Sequence, residues 1–360
     1  MKYTVFFVLP SLEGGGAERF VVTLIRYLDR SRFSPSLILA SATGPYLSDV
    51  PDDVPVFDLH SPRISRALPS LVRLVRIHRP DLLFSTLGYL NLSIAMVRPF
   101  FPGAVRCIAR EAILVSENLK TERNPTLFRI LYRLFYRRFD RIVAQTEAQS
   151  EDLIESLKVP RKLITVIPNF VDNKPASVKF LQRGNSGSLT SLIAVGRLDY
   201  QKGFDLLLKA FSKLPNSYSL TILGKGREKE NLKELALSLG VSSRVHWKGF
   251  NENPLKEMAA ADLFVLSSRY EGFPNVVLES LSIGLPVIAF DGLTSAGEII
   301  RHKMDGLLVD NGDIKALEKA IQDASGIQFD RQEIRDSVLS RFAVPVIIRK
   351  WEHLFSEILI

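Results

Sequence analysis

The feature that most limits what this chain can fold into is an alternation of short apolar runs with helix-length stretches, repeated twice and interrupted once. In the first half, residues 4–9, 36–39, 81–85, 104–109, 141–144 and 163–167 read as buried strands. In the second half the strands are expected at 192–195, 219–223, 245–248, 263–266, 286–289 and 306–309. The helices there are expected at 204–214, 228–239, 253–260, 276–283 and 314–324. Strand and helix in strict alternation imply a parallel sheet covered on both faces, so each half reads as a doubly wound α/β domain. The interruption is polar and weakly patterned, and it contains Gly184-Asn185-Ser186-Gly187-Ser188. The boundaries that follow are a first domain at 1–172, a linker at 173–190, a second domain at 191–342 and a last helix at 343–360.

A length of 360 residues suits two such domains better than one core. Hydrophobic residues at 46% and charged residues at 24% exclude a disordered chain. No run approaches ~18 uninterrupted apolar residues, so no membrane span is expected. The apolar start at 3–12 runs into a Gly-rich turn and reads as a first strand rather than a signal peptide. One cysteine, Cys107, rules out an internal disulfide and fits a reducing compartment. The net charge of +8 is lopsided: residues 1–180 hold 25 Lys and Arg against 17 Asp and Glu, while residues 181–360 hold 22 of each. The first domain is therefore expected to meet something negative, such as a lipid surface or a phosphorylated acceptor. A nucleic-acid partner is not expected.

Two carboxylates and a helix start mark the candidate site. Glu271 precedes Gly272, Pro274 suits the first position of a helix, and Gly284 ends that helix after Ile283. Free N–H groups at such a helix start attract an anion, with Phe273, Asn275 and Val276 as backbone donors or wall. Glu271 and Glu279 should lie roughly 10 Å apart at ~1.5 Å per helical residue. That spacing suits the two ends of an elongated ligand. Gly14, Gly15 and Gly16 follow the first strand, where backbone can approach a phosphate or a sugar, with a simple tight turn as the lesser alternative. Arg19 stands where the dinucleotide fingerprint needs a third glycine. Arg197 and Lys202 flank a turn that opens at Gly196, and a guanidinium and an ammonium there could hold a diphosphate without metal. The five histidines are scattered and no Asp-x-Asp pair is present, so no metal and no cofactor are expected.

These segments resemble the retaining glycosyltransferases of family 4, in order and spacing. The residues that carry the likeness are Gly14–Arg19, the stretch 167–172, the run from Val195 to Asp205, and Glu271 with Glu279, so the likeness spans roughly residues 5–310. The resemblance implies the GT-B fold: two Rossmann-like domains facing a cleft, with the last helix crossing back to the first domain. It implies a nucleotide-sugar donor, with UDP the most frequent nucleotide, and a hydroxyl acceptor that is a lipid-linked saccharide or glycolipid of polysaccharide or lipopolysaccharide assembly. It places Gly15, Gly16, Gly196, Arg197, Lys202, Gly224, Gly249, Phe250, Glu271, Gly272, Phe273, Asn275, Val276 and Glu279 at the donor, with Glu279 on the ribose. Phe250 reads as base wall or as core. Where many relatives carry a His or Asp, this chain has Arg110-Glu111, read either as a catalytic pair serving phosphates and acceptor hydroxyl or as a surface ion pair. The implied location is the cytoplasm, peripheral at the inner face of the membrane. The rival readings are a sugar-nucleotide 2-epimerase, a nicotinamide dehydrogenase and a non-catalytic saccharide-binding protein.

Two stretches are basic and amphipathic. Arg73, Arg76 and Arg79 recur at spacing three, and Arg129, Arg133, Arg137 and Arg138 interleave with Phe128, Tyr132, Phe135, Tyr136 and Phe139. Such helices can lie on anionic lipid, or they can be ordinary α/β helices with one face in the core.

Overall fold

The computed structural model describes residues 2–171, 190–251 and 253–360. It divides into two compact units, Met1–Asn169 with Pro345–Ile360, and Phe170–Val344. The first unit runs β1 (Tyr3–Leu9), α1 (Gly16–Tyr27), β2 (Phe33–Leu39), β3 (Val56–Asp58), α2 (Ile64–His78), β4 (Leu82–Thr86), α3 (Gly88–Val97), β5 (Arg106–Arg110), α4 (Val115–Lys120), α5 (Pro125–Phe135), β6 (Arg141–Ala144), α6 (Glu147–Leu157) and β7 (Ile164–Val166). Its strands pair in parallel in the order 3-2-1-4-5-6-7. The sheet centre is buried on both faces: Val5 to Leu9 are all interior, with Phe6 and Val8 in the core on one face and Phe7 against Phe355 on the other. That is why these strands read as continuous apolar runs rather than alternating ones.

The second unit runs β8 (Thr190–Val195), α7 (Phe204–Phe211), β9 (Tyr218–Leu223), α8 (Lys229–Ser238), β10 (Val245–Gly249), α9 (Leu255–Ala259), β11 (Leu263–Leu266), α10 (Asn275–Ser282), β12 (Val287–Phe290), β13 (Gly306–Val309), α11 (Ile314–Ala324) and α12 (Arg331–Phe342). Its parallel sheet has the order 10-9-8-11-12-13. Both units are thus doubly wound, with the order reversing between β1 and β4 in one and between β8 and β11 in the other. Ligands of such sheets bind beyond the carboxyl ends of the strands at that reversal.

The expected linker, 173–190, lies outside the described residues except for Thr190, which is already the first residue of β8 and pairs with Tyr218. Among the elements that escaped the sequence are β3 and α12. β3 is a three-residue edge strand, and α12 buries only Ile334, Val338 and Phe342 at spacing four among charged neighbours, too thin a stripe to read. Pro274 is also displaced by one: it is the N-cap of α10 and not its first turn.

The last helix, α13 (Val344–Leu359), packs into the first unit from Pro345 onward. Trp351 and Phe355 are fully buried, with Trp351 edge-on to Phe20 and Phe84 and Phe355 edge-on to Phe33. Polar ties fix its register: the Glu352 carboxylate accepts the Asp29 N–H at 2.8 Å, and Arg141 donates to Glu357 at 2.7 Å.

Candidate functional site

Three strand ends of the second unit build the candidate site. The turn after β8 carries Gly196, Arg197 and Lys202, and the loop after β11 carries Ser268 and Glu271. Gly203 joins them: its φ is +60°, and a Cβ there would stand 2.1 Å from the Ser267 carbonyl oxygen, so only glycine lets the two loops meet. Gly224 does the same at the end of the neighbouring strand β9, since its Cβ would fall on the Gly196 carbonyl oxygen. The Gly224 N–H donates to the Gly249 carbonyl at 2.7 Å, which laces the ends of β9 and β10. Gly224, expected to clear room for a ligand, therefore first clears room for Gly196.

Lys202 and Glu271 form the centre. The ammonium donates to a Glu271 carboxylate oxygen at 2.5 Å, with side chains 16% and 6% exposed. Ser268 Oγ donates to the same oxygen at 2.6 Å, and Gln201 Nε2 reaches the other at 3.3 Å. Gln201 also takes a hydrogen bond from Arg197 at 3.2 Å. Arg197 itself is 73% exposed, with Asp199 at 3.5 Å. One connected network thus runs from an exposed guanidinium at the surface to a sheltered ion pair. A buried pair such as this offsets its desolvation only when the remaining lone pairs are satisfied, which is what Ser268 and Gln201 supply. Sequence reasoning gave those two residues no role, although both lie inside the segments that identified the site.

Arg269 forms a bidentate pair with Asp205 at 2.9 and 2.8 Å and stacks 4.0 Å over the Tyr200 ring. Beyond it, the α10 start offers fewer open donors than its sequence suggested. The Asn275 N–H bonds the Phe273 carbonyl and the Val277 N–H bonds that of Pro274. Asn275, Val276 and Glu279 share one half-buried face of α10, while Val277, Leu278, Ser280 and Leu281 are core. The Phe273 side chain is no wall: it is 7% exposed and packs edge-on to Phe342, so a ligand can meet only its backbone. Phe250, by contrast, is not core. It is 61% exposed beneath the Lys225 ammonium. Gly272 is buried beside Glu271.

In the first unit, Gly15 caps α1, whose first residue is Gly16. Arg110 and Glu111, at the end of β5, are each 1% exposed, which overturns the surface ion pair. Their side chains go to different partners. Arg110 donates to Thr86, Gln145 and Asn169 and lies 3.9 Å over the Phe20 ring, tying the ends of β4, β6 and β7 to α1. Glu111 accepts hydrogen bonds from Asn91 and Tyr136. Burial pushes its carboxyl up to about 7, against the pull of those bonds and of Arg110. The protonated form is therefore favoured by folding. Its contribution is complete below about pH 4.5, where the unfolded chain's carboxyl also holds its proton, and is lost as pH rises toward 7. Stability should fall by roughly 3 kcal/mol across that window, and Glu111→Gln should flatten the slope. Urea midpoints of both proteins at pH 5 and pH 8 check this; parallel slopes would assign the effect to other groups.

Two family models match the chain, Glycosyltransferase Family 4 over residues 14–174 and Glycosyl transferases group 1 over residues 182–336, so between them they take in every strand but β1 and both candidate regions. The chain belongs to the group 1, family 4 glycosyltransferases. A family relative, the N-acetylgalactosamine-N,N'-diacetylbacillosaminyl-diphospho-undecaprenol 4-alpha-N-acetylgalactosaminyltransferase of Campylobacter jejuni, is 29% identical over 315 residues, 83% of this chain and 84% of that one. The exopolysaccharide phosphotransferase SCO2592 of Streptomyces coelicolor is 34% identical over 217 residues, 57% of this chain but only 22% of that protein. The chain thus spans less than a quarter of that relative's length. Among solved structures, Anabaena Alr3699/HepE in complex with UDP superposes with a TM-score of 0.80 at 21% identity, over 99% of this chain and 100% of the other, which establishes the GT-B fold. Among the described residues, no helix is long and apolar enough to cross a membrane.

Proposed function

We propose that the chain is a retaining, metal-independent glycosyltransferase that moves a hexose or N-acetylhexosamine from a UDP-sugar to a hydroxyl of a lipid-linked saccharide. It would work in cell-envelope polysaccharide or lipopolysaccharide assembly, at the cytoplasmic face of a membrane. The observation that carries this reading is the Lys202–Glu271 pair, set with Arg197 at the strand ends where the second sheet reverses order. Arg197 and Lys202 supply the positive charge that a departing diphosphate requires. Glu271, held by Ser268 and Gln201, supplies the negative charge that an oxocarbenium-like centre requires. The anomeric C–O bond to the diphosphate breaks and the acceptor oxygen bonds the same face. The acceptor's proton passes to a phosphate oxygen of the leaving group. UDP in the HepE complex supports the choice of base, and the diphospho-undecaprenol acceptor named for the Campylobacter relative supports the choice of acceptor.

Thermal melts in EDTA with UDP, GDP, ADP, CMP and NAD test the donor. A nucleotide that binds only the folded protein at a hundred times its Kd adds about 2.7 kcal/mol of stability. UDP alone should raise the melting temperature. A shift with NAD alone would favour a dehydrogenase, and no shift at all a non-catalytic protein. NMR of the product's anomeric proton reads retention directly.

A further inference from the structure

Strand β4 ends at Thr86, where the order of the first sheet reverses, and the turn that follows it is strained. Leu87 stands at φ +80° and ψ 121°, a backbone region that a branched side chain rarely occupies. The next residue has little room: a Cβ on Gly88 would lie 2.7 Å from the hydroxyl of the buried Tyr132 and 3.5 Å from a Glu111 carboxylate oxygen. Asn91, fully buried, fixes the start of α3 from below. It accepts the Ser85 hydroxyl at 2.8 Å and donates to the Arg110 carbonyl at 3.0 Å and to Glu111 at 2.8 Å. The residue that this turn holds outward is Tyr89, 50% exposed, whose hydroxyl makes no hydrogen bond among the described residues. Burial of its inner side and then the Glu18 carboxylate hold the phenol above its usual range, so the hydroxyl keeps a proton to donate. Glu18 belongs to the first turn of α1 and folds back over the glycine turn after β1, since a Cβ on Gly15 would fall 2.2 Å from its Oε2. An aromatic ring after β4 and a carboxylate after β1 thus flank the reversal point, beyond the strand ends where ligands of doubly wound sheets bind. Neither residue takes part in the Lys202–Glu271 network of the second unit.

A lone half-exposed aromatic residue needs no explanation, but one held on a strained turn, with an unpaired hydroxyl and a carboxylate bearing on it, does. We propose that Tyr89 is the platform on which the saccharide of the acceptor stacks, and that Glu18 accepts hydrogen bonds from that sugar's hydroxyls. A pyranose satisfies both residues at once: its C–H face lies on the ring, and the hydroxyls at its edge reach the carboxylate and the phenol. A phosphate would be set against the Glu18 carboxylate. An acyl chain would cover the carboxylate and the phenol hydroxyl without pairing either. The inference rests on the glycosyl-transfer reading above for the word acceptor, while the sugar contact itself stands on the first unit alone.

Saturation-transfer NMR with the methyl glycosides of glucose, galactose, N-acetylglucosamine and N-acetylgalactosamine tests it. At least one of the four should receive saturation on its ring protons. Tyr89→Ala should weaken that binding at least about tenfold, whereas Tyr89→Trp, which keeps an aromatic face, should hold it within about threefold. Glu18→Gln should weaken it about threefold or more, through the loss of charge-assisted hydrogen bonds. Tyr89 is half exposed, so its alanine variant should keep the parent's urea midpoint. Saturation of none of the glycosides, or binding that Tyr89→Ala leaves unchanged, would overturn the proposal. So would a site that takes inorganic pyrophosphate and no glycoside. The UDP thermal shift is a separate readout: its absence beside Tyr89-dependent glycoside binding would sink the donor reading and leave this contact standing.

Discussion

Lys202→Ala is expected to lower the rate of sugar transfer by about 100- to 1,000-fold, the cost of removing one preorganised charge from a site where charge develops. Two effects converge on that position. On the proposed mechanism the ammonium is lost from the diphosphate, and Glu271, 6% exposed, keeps its carboxylate in a sheltered loop with only Ser268 and Gln201 to support it. Breaking a buried pair by removing one partner also destabilises, by about 3–5 kcal/mol when fully buried. Initial rates of UDP release must therefore be read beside a urea curve, and transfer must fail at concentrations where the variant is folded. Glu271→Gln should be nearly as slow, because it removes the negative charge while keeping the shape. The double variant should cost much less than the product of the two single effects, since the residues act as one unit. Independent, multiplicative losses would mean that the two residues act separately and not as one unit.

Trp351→Ala should destabilise the first unit by about 3–5 kcal/mol, as expected for truncating a large buried aromatic. Its ring sits 5.4 Å from that of Phe84 and 5.7 Å from that of Phe20, at an angle to both, so no single neighbour can collapse into the space. Trp351→Phe should be far milder, because Nε1 is buried and makes no hydrogen bond among the described residues. Phenylalanine removes that unsatisfied donor, which offsets the lost area. Urea unfolding of the three proteins decides the matter, and equal losses for Ala and Phe would show that shape, not the orphan N–H, governs the site. The Ala variant should also lose most of its activity at 37 °C although the residue lies in the core of the first unit, since one or two kcal/mol is a large share of a domain's stability.

Much of this fold was legible because period and punctuation agreed. Each central strand is an apolar run with turn residues behind it, and the boundaries of 141–144, 263–266, 306–309 and 314–324 coincide with the observed elements. Elements that lean on tertiary support were not legible. β3 is held by pairing with Leu37 to Leu39 rather than by its own pattern, and α12 shows only three buried side chains. The pairing of Lys202 with Glu271 was also invisible, because 69 residues separate them and nothing local requires it. The sequence could nominate both residues, yet it gave Lys202 to the diphosphate and Glu271 to the transferred sugar without joining them.

Arg110-Glu111 shows the limit most clearly. Two adjacent charged residues after a strand look like a surface pair, and only the neighbouring strand ends and helices, bringing Thr86, Asn91, Tyr136, Gln145 and Asn169, make full burial possible. By itself the sequence determined the fold class, the family and the short list of candidate residues, because hydrophobic period and glycine placement are local properties of the chain. Which candidates share a hydrogen bond, which are interior and which apolar side chains face outward were decided by the tertiary structure alone. Burial and pairing depend on groups that chain order keeps apart and that only packing of the sheets brings within reach.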